Sequence, residues 1–165
     1  MTRVAAAAVL LATLASTACG PGRPDHRVVS DVGEIVRIPR AEVEDGKVHF
    51  FSYSAGGTNV DFLVRTDGHG ALHVHLDACY SCYQYRRGYV VEGDDLVCIA
   101  CRLEYPIANE VWDFIGACAP IPIHSSLDAE SVVIERSRLL KAARYFGSLR
   151  CQAQHHGHCR AATEL

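Results

Sequence analysis

The sequence predicts an α+β fold: a strand-dominated single domain with a central, zinc-ribbon-like module of four cysteines and a short C-terminal helix. Three observations lead to this prediction. Segments rich in β-branched residues precede position 77. Two Cys-x-x-Cys pairs follow, Cys79/Cys82 and Cys98/Cys101. A helical pattern lies near the C-terminus. The length of 165 residues suits one domain with a modest core.

The N-terminal segment is typical of a leader that is removed from the mature protein. Arg3 precedes an apolar run at 4–15, which is too short to cross the ~30 Å core of a bilayer. The small residues at 16–18 stand directly before Cys19, as in a bacterial lipobox. We therefore predict a lipoprotein signal peptide at 1–18 and lipidation of Cys19. Ordinary secretion with a free Cys19 is the alternative.

Lipidation would place the protein in the cell envelope, facing the periplasm and held to the membrane by its N-terminal lipid. Residues 19–27 are rich in glycine and proline and are predicted to be the anchor and tether. The formal net charge of -3 gives no reason to expect nucleic acid as a partner. The sequence shows neither a glycine-rich phosphate loop nor a Ser/His/Asp arrangement, so a metal-binding or electron-transfer protein is favoured over a catalyst.

The main domain is predicted to span 28–147 and to begin with strands. Strand-like segments lie at 28–38, 47–53, 59–66, 71–76 and 130–135, with one polar connection at 40–46 that suits a single helical turn. The Asp67-Gly68 pair predicts a tight hairpin turn, because glycine readily supplies the positive φ that such turns need. The residues between the two cysteine pairs are predicted to form a hairpin ribbon around 92–94.

The C-terminal helix is predicted from its ends and its apolar spacing. Ser137 can cap the helix, and Gly147 can stop it after Phe146. The predicted buried face consists of Leu139, Leu140, Ala143 and Phe146.

The cysteine pairs predict a tetrathiolate metal centre. Two residues between thiols allow a tight turn to direct both sulfurs at one ion, and fifteen residues separate Cys82 from Cys98. Four thiolates suit Zn(II), a mononuclear iron or an iron–sulfur cluster. Tyr83 and Arg102 follow the two pairs where c-type haem attachment needs histidine, so that cofactor is excluded. In an oxidising compartment, disulfides within the pairs are the alternative.

Further candidates lie outside these pairs. Cys118 is a fifth thiol whose role is open, as ligand, disulfide partner or free group. His73 and His75 are two apart on a predicted strand and share one face, where they can bind copper, iron or zinc or simply form its polar side. The tail at 148–165 contains a candidate disulfide and three imidazoles that suit a soft-metal site: Cys151, Cys159, His155, His156 and His158.

The central region resembles the membrane iron-sulfur containing protein FtrD-like family, over about residues 32–147. The residues that match are Asp77-Ala78-Cys79-x-x-Cys82-Tyr83, Gly88-Tyr89, Glu92-Gly93-Asp94, Cys98-x-x-Cys101, Tyr105-Pro106-Ile107 and Gly116-x-Cys118-x-Pro120-x-Pro122. The flanks also match, at Val36-x-Ile38-Pro39, Val132-x-Ile134, Leu139 and Tyr145-Phe146.

The resemblance implies an extracytoplasmic, membrane-associated metal or iron–sulfur protein that works with an iron permease or a periplasmic iron-binding protein. It implies that the four paired cysteines are ligands and that Cys118 is a family thiol. The chain departs from the family in Ala119, where a polar residue is usual, and in the histidines at 73 and 75.

The resemblance predicts support of iron uptake by metal handling or electron transfer. One observation keeps the metal open: Arg3 has no arginine neighbour, so the chain lacks a twin-arginine signal and is expected to cross the membrane unfolded, without a preassembled cluster. Two alternative functions remain. One is a structural zinc-ribbon module of an envelope complex, and the other is a copper or zinc chaperone that uses the histidine tail.

Overall fold

Three β-sheets make up most of the structure, a computed structural model that describes residues 22–112 and 118–147. Within these ranges the elements are β1 Arg27–Val29, β2 Asp31–Val32, β3 Ile35–Pro39, β4 Val48–Ala55, β5 Thr58–Thr66, β6 Leu72–Cys79, β7 Tyr89–Glu92, β8 Asp95–Cys98, β9 Glu104–Pro106, β10 Pro120–Pro122, β11 Ser126–Leu127, β12 Ser131–Glu135 and α1 Arg136–Ala142. Strands therefore dominate around one short helix, and the predicted α+β class is confirmed.

The largest sheet carries the strand that leads to the cysteines. Its order is β1-β4-β5-β6-β10, with β1 parallel to β4 and the other pairs antiparallel. Gly56 and Gly57 link β4 to β5 with φ values of 59° and 86°, which suit the tight turns that join twisted strands. Two long hairpins in succession thus bring Cys79, the last residue of β6, to one end of the sheet.

The hairpin predicted at Asp67-Gly68 joins β5 to β6, but its turn is built differently. The Asp67 carboxylate accepts hydrogen bonds from the backbone N–H groups of His69 and Ala71, both at 2.9 Å. Gly70, with φ of 82°, takes the positive φ that we assigned to the Asp-Gly pair. Aspartate side chains often organise turns in this way.

The first predicted strand, 28–38, is divided into β1, β2 and β3. Gly33 and Glu34 have φ values of 60° and 70°, so the chain reverses between β2 and β3. The sheet β11-β12-β3-β2 follows from this turn. Side chains alternate between buried and more exposed positions along β3 and β12, and the buried ones join the main core: Val36, Ile38, Val132 and Ile134.

The C-terminal helix is shorter than predicted and begins two residues earlier, because Glu135 and not Ser137 is its N-cap residue. It starts at Arg136 after Glu135, and a 3-10 turn at Ala143–Tyr145 continues it. Leu139 is fully buried, whereas Leu140 is 40 % exposed, so its assignment to the buried face was wrong. A seven-residue helix places only a narrow stripe on the core, and here Leu139 and Ala142 occupy that stripe.

The third sheet, β7-β8-β9, is the predicted ribbon. Its hairpin turns at Gly93, although the first strand begins only at Tyr89 and the preceding residues include a 3-10 turn at Tyr83–Tyr85. A second hydrophobic cluster joins this ribbon to the large sheet; its buried members are Leu63, Cys79, Tyr89, Leu96, Cys98, Tyr105, Trp112 and Cys118. Three cysteines are therefore part of a core.

None of the helices within 22–112 and 118–147 has the length and hydrophobicity needed to traverse a bilayer.

Candidate metal centre

The first cysteine pair sits where β6 ends. Cys79 is the last residue of the strand, and the backbone N–H of Cys82 donates to Cys79 Sγ at 2.9 Å. An amide that points at sulfur stabilises a thiolate and is typical of metal-binding turns. The pair is thus shaped locally to present Cys79 as a ligand.

The second pair is built in the same way at the end of β8. Cys98 is the last residue of that strand, and Arg102, with φ of 62°, closes the turn by donating its backbone N–H to Cys98 O at 2.8 Å. The backbone N–H groups of Ala100 and Cys101 point at Cys98 Sγ. In both knuckles, therefore, backbone N–H groups point at the first sulfur: one at Cys79 and two at Cys98.

Cys118 lies between the two knuckles because of sheet pairing. Two residues after it, Pro120 of β10 pairs with Cys79 of β6. Cys118 Sγ is consequently 2.9 Å from Cys79 Sγ, 3.2 Å from Cys101 Sγ and 3.8 Å from Cys82 Sγ. The hydroxyl of Tyr105 donates to the backbone carbonyl of Cys118 and fixes it in place.

Four of the sulfur atoms lie close enough together to surround a single ion. The Sγ atoms of Cys79, Cys82, Cys98 and Cys118 all lie within 4.8 Å of one another. Around an ion with Zn–S bonds of about 2.3 Å, tetrahedral geometry separates the sulfurs by about 3.8 Å. Cys101 is exposed, and its Sγ lies 3.2 Å from Cys118 Sγ but outside this set of four. Three of the four predicted ligands thus belong to the compact set, and Cys118 takes the fourth place in it instead of Cys101.

Two of the buried thiols, Cys98 and Cys118, are poor acids in the absence of a cation. Cys79, Cys98 and Cys118 are at most 3 % exposed. Burial raises the pKa of the Cys118 thiol to about 12. The hydrogen bond with the Cys79 thiol, together with burial, raises the pKa of Cys98 to about 12 as well. A bound cation would supply the positive charge that allows these thiols to lose their protons and bind as thiolates.

A comparison with known families agrees with this geometry. The sequence model of the membrane iron-sulfur containing protein FtrD-like family matches residues 43–146. The chain belongs to the FtrD-like family. The resemblance noted from the sequence is therefore confirmed, and the family description implies a membrane-associated, iron–sulfur-related protein. No curated protein and no solved structure gives a significant match to the chain.

The FtrD-like match includes all five clustered cysteines and the histidine pair of β6, but the histidines lie apart from the cluster. His73 Nε2 hydrogen-bonds Asp67 Oδ2 at 2.7 Å. The ring of His75 packs on Trp112 with centroids 4.7 Å apart, and the two imidazoles are 6.3 Å apart. They do share one face, as predicted. Metal binding by the pair stays a prediction.

The predicted lipidation site and the predicted tail lie outside the described residues of this FtrD-like protein. These are Cys19, Cys151, Cys159, His155, His156 and His158. Their assigned roles stay predictions.

His75 predicts a pH dependence of stability. Burial, with a smaller contribution from the charge of Arg65, lowers the pKa of His75 to about 3, against about 6.5 in the unfolded chain. Because the folded state binds the proton more weakly, the stabilisation is complete above pH 6.5 and is lost as the pH falls towards 3.

We therefore expect the metal-free, reduced protein to lose about 2–3 kcal/mol from this group between pH 7 and 4.5. His75→Phe keeps a ring against Trp112 but cannot titrate, so its stability should vary less over this range. Urea unfolding at both pH values measures the difference. Equal losses of stability between the two pH values in the wild type and the variant would show that His75 is not the group responsible.

Sequence analysis missed a polar cluster beside the cysteines. Arg23 Nη2 bonds Asp61 Oδ2 and Asp77 Oδ2, each at 2.9 Å, and His26 Nε2 is 3.0 Å from Asp77 Oδ2. Burial opposes protonation of His26, yet the hydrogen bond to Asp77 raises its pKa. A signal was present, since Asp61 and Asp77 interrupt apolar strands, and an acidic group buried in a strand needs a partner.

A cavity of about 400 Å³ joins this polar cluster to the cysteines. Its lining includes Arg23, Asp61, Asp77, Cys79, Cys82 and Cys98. The cavity gives small molecules or ions a path to one side of the sulfur cluster.

Proposed function

We propose that this FtrD-like protein is an extracytoplasmic, lipid-anchored metalloprotein that supports iron uptake, either by handling iron or by passing electrons through its cysteine centre. The observation that supports it most is the convergence of Cys79, Cys82, Cys98 and Cys118, whose Sγ atoms lie within 4.8 Å of one another. Thiolates favour zinc and iron–sulfur centres over hard cations. Family membership favours iron among these.

The proposal assigns different roles to the cysteines. Cys79, Cys82 and Cys98 belong both to the predicted set and to the compact set of sulfurs. Cys118, which is 3 % exposed, would complete the buried set. Cys101, exposed and 3.2 Å from Cys118 Sγ, would be a fifth thiol available to hold the metal. Five thiols around one point allow either a single ion or a small cluster.

The protein's own residues would define the environment of the centre. Iron held there would supply a one-electron redox couple. The N–H groups of Cys82, Ala100 and Cys101 point at sulfur and would stabilise the more negative, reduced state. Tyr89 and Tyr105, both at most 1 % exposed, would exclude water from the buried side. The cavity lined by Cys79 and Cys82 would leave the other side accessible.

The position of Arg23 supports a location close to the membrane. Arg23 is bound to Asp61 and Asp77, so the folded domain begins four residues after Cys19. Four extended residues span at most about 14 Å. A lipid on Cys19 would therefore hold the cysteine centre close to the membrane surface, where an iron permease could reach it. An iron permease and a periplasmic iron-binding protein are the partners we propose.

Metal analysis and visible absorption of protein purified from its native envelope test this function. We expect iron in stoichiometric amount and charge-transfer bands that disappear on reduction. A Cys79→Ser variant purified in parallel should lack both. Stoichiometric colourless zinc would contradict the redox function, and a metal-free protein with its paired thiols oxidised would contradict the metal centre altogether.

A structural zinc module is the second candidate. The compact arrangement of sulfurs at the ends of β6 and β8 resembles structural zinc sites, in which four protein ligands fill the coordination sphere. In that case the ribbon β7-β8-β9 would serve contact with another envelope protein. Delivery of copper or zinc by the histidine tail is a third function, and it depends on residues outside the described ranges.

A further inference from the structure

We propose that His26, Asp61 and Asp77 form a second cation site, which takes a divalent metal ion that prefers oxygen and nitrogen ligands, and that the Arg23 guanidinium is its built-in competitor. This site is distinct from the cysteine centre and does not depend on what the cysteines bind. It uses one imidazole and two carboxylates from three separate parts of the chain.

The donor atoms already face one another. One ligand atom from each of His26, Asp61 and Asp77 lies within 4.8 Å of the other two. The Oδ2 atoms of both carboxylates point at the same place, since each is 2.9 Å from Arg23 Nη2. His26 Nε2 approaches the same point, 3.0 Å from Asp77 Oδ2. Carboxylate oxygen and imidazole nitrogen together suit manganese, iron and zinc ions.

Neighbouring residues hold these donors in place through contacts on the side away from Arg23. Asp61 Oδ1 accepts a hydrogen bond from Ser52 Oγ at 2.7 Å, and Asp77 Oδ1 accepts one from the backbone N–H of Tyr89 at 2.6 Å. The His26 ring packs edge-on against Phe50, with centroids 5.5 Å apart. One oxygen of each carboxylate is thus anchored, and the other remains for a cation. Such outer contacts are what orient metal ligands in proteins.

The site already binds a cation, which is the side chain of Arg23. Its side chain is 40 % exposed, whereas those of Asp61 and Asp77 are 15 % and 0 % exposed. Arg23 also lies before β1, in the segment that leads into the domain. A metal ion therefore needs to displace only one half-exposed side chain, while its ligands stay fixed. The guanidinium of Arg23 thus occupies the position between the two carboxylates that the metal ion would take.

The place of the site in the fold suggests its role. Asp61 and Asp77 line the same cavity as Cys79, Cys82 and Cys98. Asp77 and Cys79 also belong to the same strand, two residues apart. An ion captured by the carboxylates would sit beside the sulfur cluster in one continuous space. The site is therefore suited to receive a hydrated cation before it reaches the thiols.

Manganese is the probe that separates the two sites. Mn²⁺ prefers carboxylate ligands, whereas thiolates select softer metals. Free Mn²⁺ gives a six-line electron paramagnetic resonance signal that weakens when the ion binds. Titrating the purified, full-length reduced protein with Mn²⁺ thus reports on the carboxylate site. The cysteine centre is read separately, from the thiolate-to-cobalt absorption of the same protein with Co²⁺.

Three variants test the assignment. Arg23→Gln removes the competing charge, and we expect Mn²⁺ to bind at least 10-fold more tightly than to the wild type. Asp61→Asn removes a ligand and, in the Arg23→Gln background, should weaken binding at least 10-fold. Asp45→Asn is the matched control, because Asp45 forms an exposed pair with His49 at 2.7 Å. In that background it should leave the affinity unchanged.

The proposal fails if Arg23→Gln binds Mn²⁺ no more tightly than the wild type, or if Asp61→Asn and Asp45→Asn behave alike. Arg23→Lys restores a competing cation and should return the affinity towards the wild-type value. Circular dichroism of each variant shows whether the fold is intact. If the wild type shows no cobalt–thiolate band, the proposed cysteine centre is contradicted, whereas the manganese result still decides the carboxylate site.

Discussion

Replacing Cys79 with serine is expected to lower the affinity of the cysteine centre for its metal by about 100-fold or more. The loss of an orienting contact behind a ligand costs 10–100-fold, and loss of the ligand itself should cost at least as much. Cys79 is 2 % exposed, receives the N–H of Cys82 and lies 2.9 Å from Cys118 Sγ. Competition with a chromophoric chelator, using Co²⁺ or Zn²⁺, measures the affinity.

Two further serine variants identify the fourth ligand. Cys118→Ser should resemble Cys79→Ser, because Cys118 belongs to the compact set of sulfurs. Cys101→Ser should cost about 10-fold or less, because its thiol is exposed and lies outside the compact set of four sulfurs. The reverse order would show that the two Cys-x-x-Cys pairs alone form the site and that Cys118 is not a ligand.

Gly88→Ala is expected to destabilise the protein by about 2–5 kcal/mol. Gly88 has φ of 65°, a region that costs other residues about 1–2 kcal/mol. A methyl group at this position would also collide with the Asp77 carboxylate. That carboxylate cannot move freely, since the N–H of Tyr89 and the side chain of Arg23 hold it. Forced overpacking adds about 1–3 kcal/mol.

Gly93→Ala provides the control. Gly93 has nearly the same φ, 61°, but a methyl group there meets nothing within 4 Å. We expect a loss of only about 1–2 kcal/mol from the backbone conformation alone. Urea unfolding of both variants, reduced and free of metal, gives the difference. If both substitutions lower the free energy of unfolding by the same amount, the close packing of Gly88 against Asp77 is contradicted.

Local patterns in the sequence were sufficient to predict the hairpins and the two knuckles. Asp67 lies between two β-branched segments, and each Cys-x-x-Cys pair forms a turn whose geometry depends on four neighbouring residues. Such features need no knowledge of the rest of the chain. The approach of Cys82 to Cys98 also followed from the predicted ribbon between them, because a hairpin brings its two ends together.

Long-range pairing was not predictable from these patterns. Cys118 reaches Cys79 because β10 pairs with β6, and no local signal in a Pro-Ile-Pro segment indicates that partner. The division of 28–38 into three strands depends on Glu34 at φ of 70°, a conformation that a non-glycine residue rarely adopts.

The polar cluster around Asp77 was missed for a similar reason. Its members come from the segment before β1, from β5 and from β6, so they meet only when the large sheet has formed. The alternation of a strand shows that Asp61 faces a particular side, but it does not say which cation will face it. Arg23 lies in a segment that composition alone marks as a short extended tether.

X-ray absorption spectroscopy of the bound metal tests the central claim most directly, because its extended fine structure gives the number of sulfur atoms around the ion and their distance. Protein purified from its native envelope should show four sulfur neighbours at about 2.3 Å, with the count falling in Cys79→Ser and Cys118→Ser and unchanged in Cys101→Ser. A metal shell made of oxygen and nitrogen, with no sulfur, would contradict the account.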